Sequence, residues 1–176
     1  MQKFAIVAAA LAAFAVPVVE AQGLDTFRKH WQLSGEFTLD VAKAMPAEFY
    51  TFKPNDEEMD FGRVMVHIGL ANNNAFAIFG GQDNPTPQAI LAAYKDPKAT
   101  FKKEAVLEFL TNSFAFGDKV LGSGENSRLN MTLGPENRKM LGVEWIWSYF
   151  THTAHHRGQA EVYMRVKNVK PPAYRF

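Results

Sequence analysis

The sequence contains no cysteine among its 176 residues. Disulfides, thiolate metal sites, a cysteine nucleophile and a lipid-modified cysteine anchor are therefore all excluded. Any transition metal would have to be bound by histidine, carboxylate or water. The search among the histidines is short, because the chain has only five: His30, His67, His152, His155 and His156.

The sequence also lacks an excess of charge of either sign. With 19 Lys and Arg against 18 Asp and Glu, its formal net charge is +1, and no basic run occurs. This balance argues against a nucleic-acid surface as the main partner. The chain has no Gly-x-Gly-x-x-Gly motif, no phosphate loop, no internal repeat and no alternation that predicts a β-sheet. Its length and its 47% hydrophobic content are typical of one globular domain.

A long apolar run occurs only at the N-terminus. A short positive start precedes the apolar run Phe4–Val19, and the small or compact residues Val19 and Ala21 occupy the two positions that a signal peptidase reads, with cleavage expected after Ala21. We predict a cleavable signal peptide over residues 1–21 and a mature domain over residues 22–176, in the periplasm or secreted and without stable membrane insertion. The alternative is a retained membrane anchor, but the run is short, rich in alanine and interrupted by Pro17.

Four stretches of the mature chain show apolar residues at helical spacing. The predicted helices are Leu24–Ala44, Phe61–Phe79, Ala99–Leu121 and Glu136–Asn168. We expect Asp60 to cap the second helix, Gly80-Gly81 to end it, and Asn168 to be left-handed at the end of the fourth. A short helical turn is expected at Ala89–Tyr94. Four helices joined by loops of moderate length favour an all-α fold, namely an up-down four-helix bundle.

The fourth helix carries the best candidates for chemistry. His152 and His156 are four residues apart and share a helix face, so both imidazoles could bind one cation. Spacing alone leaves His155 open as a substitute for His156, because it is three residues from His152. His67 lies within an apolar stripe of the second helix, where a lone histidine is more often a core residue. Bundles build metal sites from facing helices, however, so His67 could meet the pair.

Other polar side chains are candidates for supporting roles. Asn74 shares a helix face with the histidine of the second helix and could contact a ligand, or could be a buried amide bonded to backbone. Gln159 and Tyr163 could orient a ligand imidazole or line a pocket, and packing roles are equally compatible. Glu161 is only a weak candidate for a general base. His30 is expected to be partly exposed and outside any site.

Three groups of residues together resemble the DinB/YfiT-like superfamily of bacterial four-helix metalloproteins. In chain order they are Tyr50-Thr51-Phe52-Lys53-Pro54 with Met59-Asp60-Phe61-Gly62 and His67-Ile68, then His152-x-x-x-His156-Arg157-Gly158-Gln159, then Tyr163-Met164-Arg165 with Val169-Lys170-Pro171-Pro172. The first group is similar to the family's connector and first-ligand helix. The second is similar to its other two ligands with the Arg-Gly-Gln that follows them. The resemblance spans nearly all of the mature chain.

The resemblance implies a DinB-like bundle in which His67, His152 and His156 hold a divalent metal ion. It therefore favours His156 over His155, which is left outside the ligand set. Three imidazoles with open coordination positions suit zinc, nickel, iron or manganese. Many members of the superfamily are dimers, which makes a homodimer a candidate assembly for this chain.

Such a site predicts a metal-assisted hydrolase of an unidentified small substrate, because a divalent ion lowers the pKa of water towards ~7. One alternative is a metal-dependent thiol S-transferase. Relatives of that kind use cytoplasmic thiols such as bacillithiol or mycothiol, so the predicted export weakens this reading. The other alternative is an exported, non-catalytic metal-binding or stress-related protein. A purely structural metal is disfavoured, because structural zinc sites usually close with four ligands.

Overall fold

The computed structural model describes residues 16–123 and 126–175. Its α-helices are α1 (Val16–Ala44), α2 (Phe61–Gly80), α3 (Gln88–Lys95), α4 (Lys103–Gly122) and α5 (Gly142–Val166). Single 3₁₀ turns cover Ala47–Phe49, Asn126–Asn130 and Glu136–Arg138, and the strands β1 (Thr132–Leu133) and β2 (Met140–Leu141) pair antiparallel. The predicted all-α fold is confirmed, with five helices in place of four. Within the described ranges, no helix combines the length and apolarity needed to span a membrane.

The predicted signal peptide receives no support from the fold. Most of it, residues 1–15, lies outside the described residues. Helix α1 begins at Val16 rather than at Leu24, so it runs through the predicted cleavage position after Ala21. Export therefore stays a prediction.

The predicted ends of the second helix are confirmed together with their physical cause. The Asp60 carboxylate accepts a hydrogen bond of 2.7 Å from the Arg63 N–H, which satisfies a backbone donor at the start of α2. Gly81 follows the helix with φ 61°, the left-handed conformation that glycine adopts without steric cost. Asn168 likewise has φ 57° just beyond α5, as predicted. These three helix-end positions could be predicted from the sequence because each depends only on neighbouring residues.

The predicted start of the fourth helix at Glu136 was wrong, because α5 begins only at Gly142. The residues before it form the 3₁₀ turn and strand β2, so the expectation of no strand pairing also needs correction. Gly142 fixes this arrangement: a Cβ there would lie 1.9 Å from the Arg128 carbonyl oxygen. The Glu144 carboxylate then accepts the Leu141 N–H at 2.9 Å and caps the new start. Similarly, α4 starts at Lys103 instead of Ala99.

The bundle does not alternate as the predicted up-down order would require. Helices α1 and α2 each pack against both α4 and α5. At the start of α2, Gly62 approaches the Phe101 carbonyl, and at its end Gly80 approaches Val120, so α2 and α4 run in the same direction. Phe27 contacts Trp147 near the start of α5, and Ser34 contacts Arg157 further along both helices, so α1 and α5 also run in the same direction. The directions are therefore up, down, down, up for α1, α2, α4 and α5.

This order requires a long crossover, because the end of α2 must be joined to the distant start of α4. Residues 82–102 return along the bundle and include α3. The Arg63 guanidinium ties the crossover to α2 by donating to the carbonyls of Tyr94, Asp96 and Ala99 at 2.7, 2.7 and 2.9 Å. The crossover thus brings α3 next to the first two turns of α2.

An aromatic core fills the opposite half of the bundle. The Trp31 ring contacts Phe76 and Phe114 with centroid distances of 4.6 and 5.0 Å, and its Nε1–H donates to the Phe114 carbonyl. Close approach depends on Gly117, where an added Cβ would lie 2.8 Å from Trp31. Along α2, Phe76 is about 13 Å beyond His67. The tightly packed core and the histidines therefore occupy different levels of the same bundle.

Candidate metal centre

The three predicted metal ligands meet between α2 and α5. His67 projects from α2, whereas His152 and His156 project from successive turns of α5. One ring nitrogen of each lies within 4.8 Å of the other two. The Nε2 atoms of His67 and His152 are 3.1 Å apart. All three rings are half-buried, so this group could hold a metal ion and leave a side open to solvent.

The closest nitrogen separation fits a shared ion. Two imidazole nitrogens bound to one zinc at ~2.1 Å are about 3.0–3.4 Å apart for coordination angles between roughly 90° and 110°. The 3.1 Å between His67 and His152 falls in that interval. The three ring centroids are 4.4–4.9 Å from one another, so the imidazoles surround a common point rather than stack.

Gln159 orients the third imidazole. The Nδ1–H of His156 donates to the Gln159 side-chain oxygen at 2.7 Å. Because neutral imidazole carries one ring proton, this bond leaves Nε2 with a free lone pair. The predicted supporting role of Gln159 thus has a direct geometric basis.

Tyr94 orients the first imidazole and was missed by the sequence analysis. Its hydroxyl lies 2.8 Å from Nδ1 of His67 and donates to Met59 Sδ at 3.6 Å. When His67 binds a metal through Nε2, its Nδ1–H donates to this hydroxyl, whose own proton is then left for the Met59 sulfur. Only the direction of the crossover brings Tyr94 here, and no local pattern in the sequence encodes that direction.

His152 is the least restrained of the three. Its Nδ1 is buried and has no hydrogen-bond partner among the described residues. The neighbouring Tyr149 ring packs beside the His152 ring in a tilted orientation, with the two centroids 6.1 Å apart. A buried polar nitrogen without a partner is uncommon and concentrates at functional sites. Hydrogen bonds at Nδ1 thus orient two imidazoles, whereas the third has none at that nitrogen.

The electrostatics of the cluster keep the imidazoles neutral. Burial, together with the smaller effect of the nearby His156, lowers the pKa of His67 to about 4. Burial and the charges of His156 and His67 likewise lower the pKa of His152 to about 4. Burial also lowers the pKa of His156, against the opposing effects of Gln159 and Glu58. Neutral imidazole is the form that binds metal, so the lone pairs are available at pH 7.

The remaining histidines lie outside the group. His155 is exposed, and its ring centroid is 4.8 Å from that of His156 without joining the cluster of converging nitrogens. His30 is exposed on α1, as predicted. The face of α5 on which each lies thus brings His156, and not His155, next to His67 and His152.

The other candidate side chains divide between site and surroundings. Asn74 is exposed and donates to the Tyr149 hydroxyl at 3.5 Å, so its interpretation as a buried amide was wrong. Glu161, the weak candidate for a general base, forms an ion pair with Arg165 at 3.6 Å. Its carboxylate is therefore engaged away from the three histidines. Tyr163 is buried and donates to Glu58 at 3.4 Å.

Glu58 is the second residue that the sequence analysis missed. It is exposed in the connector before α2, and its carboxylate lies close enough to His156 to raise the pKa of that imidazole. Burial and then the charge of Glu58 raise the pKa of Tyr163 to about 12. The acidic run Asp56-Glu57-Glu58 just before the capped helix was the available hint. Its use required knowing that the connector folds towards α5.

Comparisons with known proteins agree with this geometry. The model of the DinB family matches residues 20–175. A solved DinB-like protein from Bacillus cereus has a TM-score of 0.72 and 20% identity, over 86% of this chain and 97% of the other. A DinB-like protein from Bacillus subtilis has a TM-score of 0.67 and 15% identity, over 85% and 98%. At these identities the two structures establish a shared fold. No curated protein matches the chain.

Proposed function

The chain belongs to the DinB family, and from that premise we propose that it is a metal-dependent hydrolase in which His67, His152 and His156 hold a divalent ion. The observation that carries the proposal is the pair of hydrogen bonds at the outer nitrogens. Tyr94 and Gln159 engage Nδ1 of His67 and His156, which directs the Nε2 lone pairs of both rings into the cluster. A divalent cation at the centre of the cluster would accept these lone pairs.

When bound, a divalent ion supplies Lewis-acid chemistry, namely polarisation of a substrate carbonyl and a lower pKa of water. The chain's own groups would assist on the open side of the cluster. Glu58 is an exposed carboxylate beside His156 and could accept a proton from water. Tyr163, with a pKa of about 12, stays neutral and holds Glu58 through its hydroxyl.

The opposite rim of the site is positive and aromatic. The Arg138 guanidinium lies 5.3 Å over the Trp145 ring and 5.1 Å over the Tyr149 ring. Its charge contributes to the lowered pKa of His152, after burial and the other histidines. With Glu58 on one side and Arg138 on the other, the site can orient a polar substrate, and the exposed Asn74 adds an amide beside Tyr149.

The proposal is tested on purified protein by metal analysis and activity. We expect about one divalent ion per chain, and hydrolysis of small p-nitrophenyl esters or anilides only by the loaded protein. His152→Ala should lose both properties, whereas the matched change His155→Ala should keep both. Turnover of a thiol with monobromobimane but not of esters would replace hydrolysis by thiol transfer. Bound metal without any turnover would leave a metal-binding protein.

We also propose that the protein is exported and forms a homodimer, and each proposal has its own test. Export to the periplasm or medium would appear as a mature N-terminus at Gln22 in protein isolated from the native source. A homodimer would appear as twice the chain mass of 19.7 kDa in light scattering. An intact Met1 or a single-chain mass would reject the respective proposal.

A further inference from the structure

A cavity separate from the three-histidine site lies between α2, the crossover and α4. Its volume is about 230 Å³, far above the ~10–15 Å³ that one water requires. Asn73 of α2 forms one wall, about 120° round the helix from His67. Pro85, Pro87 and Ile90 of the crossover form the second wall. The cavity therefore opens on a different face of α2 from the three histidines.

The crossover wall of this cavity is fixed in place. Thr86 is buried between the two prolines, and its hydroxyl accepts a hydrogen bond of 2.9 Å from the Asn73 side-chain amide. Its N–H donates to the Asn84 side chain at 2.9 Å. Proline restricts the backbone on both sides of Thr86. The cavity is thus largely formed before any ligand enters, which lowers the entropic cost of binding.

One polar atom at this cavity lacks a partner. Asn73 is only 3% exposed, and its side-chain oxygen makes no hydrogen bond with any described residue. Leaving such a group unpaired costs free energy, so buried amides are normally satisfied by protein, water or ligand. Because the amide nitrogen is already bound to Thr86, the oxygen is left to accept from a donor that enters the cavity.

Helix α4 closes the cavity with a face of mixed character. Ala105, Glu108, Phe109 and Asn112 line it at the 3-1-3 spacing of one helix side. Phe109 provides an apolar wall, while Ala105, Glu108 and Asn112 are exposed at the mouth. Among the residues lining this cavity, Glu108 is the one that carries a formal charge. An apolar interior with a carboxylate at the mouth and a free carbonyl oxygen at the wall favours a hydrogen-bond donor of positive charge.

We propose that this cavity is a binding site for a small aliphatic amine in its ammonium form. The alkyl part lies against Ile90, Phe109 and the prolines. The ammonium group donates to the Asn73 oxygen and the Glu108 carboxylate. This site is independent of the proposed metal chemistry, because none of its lining residues belongs to the three-histidine group.

The test titrates the whole protein with isobutylammonium, isobutanol and isobutyrate, followed by backbone amide NMR shifts. We expect saturable shifts centred on Asn73, Ile90 and Asn112 for isobutylammonium. Isobutyrate should bind at least about tenfold more weakly, because its charge is repelled by Glu108. Isobutanol, which keeps a donor without the charge, should lie between them. Equal binding of all three, or shifts that never saturate, would overturn the proposal.

Two variants and a control locate the binding. Ala105→Phe places a ring in the cavity from an exposed position and should abolish saturable binding. Ala92→Phe, an exposed change on α3 outside the lining, should leave it unchanged. Glu108→Gln should weaken isobutylammonium about threefold, the size expected for an exposed ion pair, and leave isobutanol unaffected. Unaltered binding in Ala105→Phe would show that the amine binds elsewhere.

Discussion

Two adjacent residues of α5 create opposite kinds of polar environment. His156 faces α2 and joins a cluster whose inner nitrogens face one another. Arg157 faces α1, where its Nη1 donates to the Ser34 hydroxyl at 2.9 Å and the Thr38 hydroxyl at 3.3 Å. Its guanidinium also lies 4.5 Å over the Phe37 ring. The arginine is surrounded by side chains of α1, whereas the ring nitrogens of the histidines remain able to bind a metal ion.

The comparison shows how a buried polar side chain that stabilises the fold differs from polar side chains that can bind a ligand. Arg157 is 7% exposed, and burial lowers its pKa without an ion pair to any described carboxylate. Neutral oxygens accept hydrogen bonds from its Nη1 and the Phe37 ring lies against the guanidinium, so it links α1 to α5. The histidines are less buried but lack that closure, as the unpaired Nδ1 of His152 shows. We therefore expect stability to depend on Arg157 and metal affinity to depend on the histidines.

Removing one histidine should give the largest effect of this comparison. His152→Ala deletes one of three ligands, and we expect affinity for zinc to fall by about 10³-fold or more. The melting temperature of the metal-free protein should change little, because the ring makes no Nδ1 hydrogen bond. Competition with a chromogenic chelator measures the affinity.

The matched control is His155→Ala, which removes an exposed imidazole three residues away on the same helix. It should keep the parent affinity within about twofold. If the two variants lost affinity equally, the ligand set would not be the one that the geometry brings together.

The next largest effect should be on stability. Arg157→Ala removes the bonds to Ser34 and Thr38 and leaves a hole beside Phe37, at an expected cost of ~2–4 kcal/mol. For a domain of this size the melting temperature should fall by about 5–15 °C. Zinc bound per folded chain should be unchanged. The control Arg165→Ala, at an exposed ion pair on the same helix, should cost less than ~1 kcal/mol.

Loss of metal affinity in Arg157→Ala at temperatures where the protein is fully folded would contradict the separation of roles. Calorimetry and chelator competition on the same preparation distinguish the two cases. Arg157→Lys would then show whether the positive charge or the planar shape of the guanidinium matters.

Local features of the fold were predictable from sequence, and orientation was not. The cap at Asp60, the left-handed Gly81 and the left-handed Asn168 each depend on a few neighbouring residues. The parallel course of α2 and α4 depends instead on contacts such as Gly62 with Phe101, far apart in the chain. The alternating order was therefore wrong, although the helical segments themselves were largely right.

The candidate site shows the same division. The histidines of α5 were readable from their spacing, and Gln159 lies only three residues beyond His156. Tyr94 reaches His67 because Arg63 holds the crossover, and Glu58 reaches α5 because of the course of the connector. Neither residue has a sequence pattern that links it to the histidines. Side chains that reach the cluster from distant loops can be identified only once the tertiary structure is known.

Tyr94 offers a sharper test of what orients the histidines. Tyr94→Phe keeps the ring but removes the hydroxyl bonded to His67, so affinity for zinc should fall about tenfold. Tyr163→Phe is the matched control, since its hydroxyl contacts Glu58 and not an imidazole. Its affinity should stay near that of the parent protein. Equal losses in the two variants would indicate a general effect on packing rather than orientation of His67.

The smallest expected effect is the part of the pH dependence of stability that the histidine cluster contributes. In the metal-free protein, the folded-state pKa values of His67 and His152 are about 4, against 6.5 for an ordinary histidine. Between these limits the unfolded chain binds protons that the folded chain does not, so stability must fall as pH decreases. Above pH 6.5 the contribution is fully present. We expect about 1–2 kcal/mol in total, because half-buried rings are partly screened by solvent.

Urea unfolding of chelator-treated protein at several pH values measures this dependence. His152→Asn removes one of the three imidazoles whose pKa burial lowers, so it should reduce the histidine contribution to the slope by roughly a third. Arg157→Ala should lower stability at every pH and keep the parent slope, since the arginine stays charged throughout this interval. Common carboxylates titrate in all three proteins, so only differences between the slopes bear on the histidines. An unchanged slope in His152→Asn would mean that burial does not hold this imidazole neutral, and the contrast between its two polar environments would then be one of geometry alone.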